Sequence, residues 1–416
     1  MRKVTWRLLP LLYVSFMVAF LDRVNVGFAK ETMARDLGLS STVYGLGAGL
    51  FFLGYFLCEV PSTLMLVRVG ARVWIARIML VWGVVSIATL LVRDATSFYL
   101  ARLLLGASEA GFFPGVILYL TTFVPAAHRA RAIALFMTAA VLASVVGSPL
   151  SGLLLELDGS FGLRGWQWLF LAEGMPAVGL GLAVLAWLPN GPRQARWLEP
   201  EELAWLESRL ATERHDTEAR QPTTLLATLA DPRVLLLSAI YATNVVGGYG
   251  LDFFMPTLIH EALPGASAVR VGALNAVPAL IGVVVMVLHG RSSDRRAERR
   301  WHFAAAVFWA AAGLVLASLP IPPGIALVGL ALAVSGRWSA IAPFWGLSTA
   351  FLTGRAAAAA IALINSVGNL GGFAGPYLMG YLKDLTGDYT LGLRLLGGVL
   401  FLGGLVALRR RVRGGT

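Results

Sequence analysis

Cysteine is almost missing from this chain. The single thiol, Cys58, has nothing to pair with, so an intrachain disulfide framework and a cysteine metal cluster are both excluded. Histidine is sparse too: the five are scattered, with no HExxH-type ligand spacing. Charge is the third shortage. Asp, Glu, Lys and Arg make up only 14% of 416 residues while 57% are hydrophobic, and a soluble domain is usually about a quarter charged. With a mean hydropathy of +0.73, the composition points to a polytopic membrane protein.

What is abundant is apolar sequence in runs of bilayer length, roughly 20 residues each. The expected spans are 8–29, 43–66, 74–92, 98–124, 130–155 and 166–188, then 234–258, 270–289, 302–320, 323–350, 356–381 and 390–408. The first imitates a signal peptide, but no small-residue cleavage site closes it and Asp22 and Arg23 follow at once, so it reads as a retained helix. The expected fold is all-α: twelve transmembrane helices in two six-helix bundles, residues 1–189 and 233–416, joined by a cytoplasmic linker, 190–232. Within the linker, EPEELAWLESRLATER has early acids, late bases and Leu203, Leu206 and Leu210 at helical spacing, which suggests an amphipathic helix, read here as a solvated joint between the halves.

The formal charge of +11 is set by topology. Arg2, Lys3, Arg7, Arg68, Arg72, Arg129, Arg131, Arg291, Arg295, Arg296, Arg299, Arg300, Arg355, Arg409, Arg410, Arg411 and Arg413 all fall on one side, whereas the opposite loops carry few bases, mostly balanced by acids, as in Lys30 with Glu31. The positive-inside rule places both termini in the cytoplasm, and the excess charge reads as lipid-headgroup contact, with no nucleic-acid surface. The halves look like repeats: GSPLSG (147–152) answers GGFAGPYLMG (371–380), and RVGAR (68–72) answers GRSSDRRAERR (290–300). Paired repeats with a mid-membrane site are the architecture of many secondary carriers.

A charge at the bilayer centre costs about 2.5–3.5 kcal/mol on insertion scales, so the charges inside spans are the candidates for chemistry. They are Asp22, Arg23, Glu59, Arg77, Arg102, Glu109, Glu173 and Arg337, with Asp252 near the outer end of its span. Arg102 and Glu109 share a helix face about 10 Å apart along the axis; Asp22 and Asn25 share a face, with Arg23 turned about 100° away. If both helices line one cavity, two acids and two bases face it and cancel when it is empty, so an entering carboxylate calls for a proton. An arginine grips a carboxylate bidentately, and drawing it off an acid favours that acid's protonation. The competing reading is a static ion-pair network. For Glu59, Glu173 and Arg77 the structural reading leads: pinning of helix ends for the two acids, snorkelling for Arg77. Arg337, Tyr241, Asn244, Asn365 and Asn369 are placed for substrate contact or for bonds between helices.

The stretches FLDRVNVGFA, ARLLLGASEAGFFPGVILYLTTFVP, GWQWLFLAEGMPAV, SDRRAERRWH and IALINSVGNLGGFAGPYLMGYLKDLTG resemble the anion:cation symporter family of the major facilitator superfamily, over nearly the whole chain. The resemblance implies a twelve-helix carrier moving an organic anion with protons by alternating access. It implies proton carriage by Asp22 and Glu109, carboxylate contact by Arg23, linkage of the two through Arg102 paired with the acids, and polar substrate contacts at Asn365 and Ser366 or Asn369. It also implies a cytoplasmic gate involving Arg68, Asp294 and Arg295. Two departures stand out: Val67 replaces the acid usual before the first loop arginine, and FMTAAVLASVVG in the fifth span is largely apolar, closer to the tartrate, hydroxyphenylacetate or phthalate branch than to aldonate carriers.

The function expected is import of a small organic carboxylate by proton symport across a bacterial inner membrane, as a monomer in contact with lipid. No cofactor or metal is expected; the coupling ion is H+, with Na+ left open. An exporter or exchanger of the same fold is the alternative. A membrane enzyme or non-transporting sensor ranks last, because the spans hold no nucleophile–base pair and no metal set.

Overall fold

The computed structural model describes residues 1–218, 231–349 and 354–409. The linker stretch 219–230 and Arg410, Arg411 and Arg413 lie outside the described residues. The first half contains α1 (Arg2–Val24), α2 (Val26–Leu37), α3 (Ser41–Val69), α4 (Ala71–Ala88), α5 (Ala95–Glu109), α6 (Phe112–Thr121), α7 (Ala126–Leu155) and α8 (Gly165–Trp187). After α9 (Pro200–Glu218), the second half contains α10 (Pro232–Asp252), α11 (Met255–Ala262), α12 (Ala268–Arg295), α13 (Arg300–Ala317), α14 (Pro323–Thr349), α15 (Gly354–Asn369), α16 (Gly371–Thr386) and α17 (Thr390–Arg409).

Among the described residues, 11 helical stretches are long and apolar enough to cross a membrane. The α15–α16 stretch makes the twelfth crossing; its two pieces, 16 residues each, are separately short for the bilayer. The arrangement is thus twelve crossings in two bundles of six. Several are broken helices, and each break follows a polar or charged residue. The mildest is at Asn25, three residues after Asp22, where the first crossing is divided although Asn25 keeps helical dihedrals and its N–H bonds to the Leu21 carbonyl. The fourth breaks after Glu109, where Ala110 is extended and Gly111 takes φ +86, a left-handed conformation that costs glycine little. The seventh breaks after Asp252, where Pro256 has no N–H to offer the Asp252 carbonyl. The eleventh breaks after Asn369. Interrupted helices are tolerated at membrane depth where protein or a polar cavity receives the freed backbone groups.

The halves are pressed together at the end remote from the chain termini. There α3 packs on α16 and α7 on α12. The approach is backbone to backbone: a Cβ on Gly380 would lie 2.0 Å from the Ser41 carbonyl oxygen, so only glycine fits. Asp384 accepts from the Ser41 and Thr42 amides at 3.1 and 2.6 Å, capping α3 from the other half. Lys30 is buried in a cage of Tyr44, Phe254 and Tyr389 and donates to the Tyr389 hydroxyl.

The helix α9 is not merely a solvated joint. Leu206 and Leu210 are buried, Lys3 pairs with Glu202 at 2.8 Å and Arg129 with Glu213 at 3.1 Å. Its apolar stripe finds a surface at the terminal side of the first half, which a linker reading does not anticipate.

Candidate functional site

The four central charges come from two crossings, and both break beside them. Arg23, at the end of α1, forms an ion pair with Glu109, the last residue of α5. Its guanidinium lies over the rings of Phe51 and Tyr55, 5.2 and 5.3 Å from their centroids, and faces the Tyr249 hydroxyl at 3.4 Å. Phe51 and Tyr55 belong to the first half and Tyr249 to the second, so the pair sits where the halves meet. Arg23 keeps 12% of its side chain exposed whereas Glu109 keeps 1%, so the base is the member a solute can reach. One Glu109 oxygen, Oε2, is buried without a partner.

Asp22 points elsewhere. Fully buried, it accepts from Trp82 Nε1 at 2.7 Å and from Ser86 Oγ, both on α4. Arg102, also fully buried, has no hydrogen-bond partner on Nε, Nη1 or Nη2 and rests over the Phe51 ring at 5.1 Å. The expected pairing of Arg102 with the acids is therefore corrected: the base bonded to Glu109 is Arg23, and Asp22 is held by neutral donors. The reason is rotation. The 100° step from Asp22 to Arg23 turns the acid toward α4 and the base toward α5.

The second half supplies its own acid–base pair. Arg337 Nη2 donates to both oxygens of Asp252 at 2.8 Å, and the guanidinium lies 4.8 Å from the Trp338 ring. This pair borders a small cavity between the halves, of about 50 Å³, also lined by Leu21, Ser144, Ser148 and Asn275. Glu59 likewise reaches across, accepting from Ser366 at 2.7 Å, so it does not pin a helix end. Glu173 is deeper than a helix-end role implies: it is buried and accepts from Asn25 Nδ2. Arg77 is half-buried with its guanidinium on Trp74.

The remaining candidates are dispersed. Tyr241 stacks on Phe344, centroids 5.0 Å apart, and meets Trp345 at a tilt, 5.2 Å away. Asn244 is buried with Oδ1 unpartnered; Asn365 and Asn369 are half-buried on α15. At the terminal side Arg68 and Arg295 are exposed, and Asp294 meets Arg299 at 3.4 Å. In that loop Glu298 accepts from the Trp301 and His302 amides at 2.8 and 3.1 Å. Partial burial pushes its carboxyl up, but these bonds and the His302 side chain outweigh burial and hold it below the ordinary carboxylate range. Among the described residues no cluster of three or more His, Cys, Asp or Glu is placed to hold a metal.

The sequence reading missed Tyr249 and Ser86 as partners of the central charges. Tyr249 carried a signal, an aromatic three residues before Asp252, but aromatics of that kind are more often packing. Ser86 carried none.

Comparisons with known proteins agree with this architecture. Residues 12–376 match the Major Facilitator Superfamily. A putative tartrate transporter of Agrobacterium vitis is 48% identical, covering 98% of this chain and 90% of its own length. A quinolone resistance transporter of Acinetobacter baumannii is 42% identical, covering 97% and 92%. Among solved structures, a bacterial homolog of the human lysosomal transporter Spinster, inward-facing and unoccupied, superposes with a TM-score of 0.77 at 18% identity, covering 98% of both chains. With twelve crossings in two bundles and charge kept at the helix breaks between them, the chain belongs to the Major Facilitator Superfamily, a membrane transporter family, in the anion:cation symporter-like branch that its first- and fourth-span motifs resemble.

Proposed function

We propose that this transporter imports a small organic carboxylate with protons across a bacterial plasma membrane. The observation that carries the reading is the Arg23–Glu109 pair, one member reachable and one sealed, between two helix breaks. Asp22, Arg23, Arg102 and Glu109 sum to zero. A carboxylate that takes Arg23 from Glu109 leaves a buried acid with no cation bonded to it, a state that burial disfavours unless a proton arrives. Arg102, buried with no bonded partner, adds positive potential that draws an anion inward. Tyr249 on one side of Arg23 and the Ser366–Glu59 bond nearby let both halves sense the bound anion.

With the termini in the cytoplasm, the orientation that the basic loops support, the sealed end faces outward. The tartrate name of a relative supports a carboxylate substrate. Export is the second reading, supported by the relative named for quinolone resistance.

The test uses proteoliposomes and a panel of carboxylates preselected by thermal shift. Uptake should require an inward proton gradient, and Asp22→Asn and Glu109→Gln should abolish accumulation while sparing exchange. Full gradient-driven uptake by both variants would sink the proton-carrier assignment. Efflux of the same anion from intact cells, with no uptake, would favour export.

A further inference from the structure

Glu173 lies on α8, outside the set of charges just described, yet it is buried nearly as deeply as Asp22, Arg102 and Glu109, with 3% exposure. Its one bonded partner is the side-chain amide of Asn25, whose Nδ2 donates to Oε2. Each group is left with an orphan: Glu173 Oε1 and Asn25 Oδ1 are both buried and unpartnered. Two orphan acceptors on groups already joined by one bond amount to one missing proton. A hydrogen on Oε1 would give Asn25 Oδ1 its donor and close an acid–amide pair with two bonds in place of one.

No cation competes for the carboxyl. On α1 the charged neighbour is Asp22, an acid, occupied by Trp82 and Ser86 of α4. The base on α1, Arg23, is bonded to Glu109. On α4, Arg77 lies on Trp74, and Arg72 donates to the Leu185 carbonyl near the opposite end of α8. On α2, Lys30 is enclosed by its aromatic cage, Glu31 and Arg35 pair with each other, and Asp36 accepts from Trp166 Nε1 at the far end. On α7, Arg129 belongs to the other end, bonded to Glu213, and Glu156 follows the helix at the loop. An ionised Glu173 would have an amide and a neighbouring acid for company, which a low-dielectric interior does not tolerate.

We propose that Glu173 is a proton-binding residue, held neutral in this conformation as an acid–amide pair with Asn25. Asn25 is where the first crossing is interrupted, so the proton on Glu173 fastens the break that orients Asp22 and Arg23. Opening of the α1–α8 contact to water releases the proton and frees the break. This goes beyond the coupling reading, since the protonation state of Glu173 can be observed with neither substrate nor gradient.

Infrared spectroscopy of the purified transporter tests it. Wild-type protein should show a protonated-carboxyl C=O band, with intensity lost in Glu173→Gln, which preserves the paired geometry as an amide–amide contact. Asn25→Leu, an independent variant, should move that band to higher frequency by removing its hydrogen bond. In exchange assays Glu173→Gln should flatten the fall of rate at alkaline pH. Full band intensity in Glu173→Gln, or an unmoved band in Asn25→Leu, overturns the proposal. Failure of gradient-driven uptake in wild-type protein with the band intact would remove the symport reading and leave this one standing.

Discussion

Replacing Arg102 with methionine should make the protein more stable and stop it working. The guanidinium is fully buried with all three nitrogens unpartnered. An arginine at mid-membrane costs about 2.5–3.5 kcal/mol on insertion scales. Its position over Phe51, 5.1 Å from the centroid, returns roughly 0.5–2 kcal/mol of cation–π attraction. Before the field of its neighbours is counted, the balance left for Arg102→Met to recover is about 0.5–3 kcal/mol, since a methionine fills similar space and asks for no bonds; the charges of Asp22 and Glu109 also act on the guanidinium and reduce that gain. Arg337→Met is the control. Arg337 is paired to both oxygens of Asp252, the two side chains keeping 12 and 18% exposure, so removing it is destabilising by less than the roughly 3–5 kcal/mol of a fully buried pair. Denaturant unfolding in detergent should therefore move the two variants in opposite directions. In proteoliposomes Arg102→Met should lose accumulation, because the positive potential behind Arg23 is gone. If Arg102→Met were destabilised as much as Arg337→Met, Arg102 would be a paired structural arginine and its place in the proposed function would fall.

Other substitutions probe single features. Tyr249→Phe removes the hydroxyl that Arg23 faces and should raise KM for the carboxylate by about tenfold, the low end of what one hydrogen bond to a charged group is worth, with the maximal rate little changed; an unaltered KM would remove Tyr249 from the site. Gly380→Ala places a methyl 2.0 Å from the Ser41 carbonyl and should pry the far side open, read as faster labelling of a cysteine introduced there in a Cys58→Ala background; unchanged labelling refutes that crossing as the seal. Glu298→Gln tests the loop acid. Its carboxyl is held below the ordinary range, so its contribution to stability is present above that range and lost as pH falls through its own lowered value. The variant should be less stable than wild type at neutral pH and indistinguishable from it in acid.

The spans were legible because a helix in lipid must be long and apolar in its own sequence, whatever it packs against. The same constraint made the rare charges visible: Asp22, Arg23, Arg102 and Glu109 stand out against apolar neighbours. Their partners were not legible. Whether Arg23 or Arg102 meets Glu109 depends on the rotation of α1 against α5, and no periodicity within either helix contains that angle. The breaks were partly legible. Gly111 and Pro256 signal two of them, but Asn25 keeps helical dihedrals and carries no breaker signature. Contacts between the halves, such as Asp384 on the end of α3 and Lys30 among three rings, join residues more than 300 positions apart for the first and from three separate elements for the second, so local pattern has no hold on them.

The breaks and the charges explain one another. A continuous helix satisfies its own carbonyls and amides and offers a solute nothing polar. Dividing it near Asp22–Arg23, after Glu109 and after Asp252 brings helix ends and ionisable side chains together in each crossing, with the backbone leaving helical geometry at Ala110 and Gly111. The charges cost less there, because polar backbone and side-chain neighbours share their field, and the helix can bend there without losing its ends. The two halves use the device unequally. In the second half acid and base are joined directly, Asp252 to Arg337. In the first, the acid of α1 bonds to neutral donors, the base of α1 to the acid of α5, and the base of α5 to nothing. A satisfied pair favours one geometry. An unsatisfied set has another arrangement within reach, and an incoming anion can select it. Under the proposed function the first half is therefore where binding is converted into movement, with the second half as the surface it moves against.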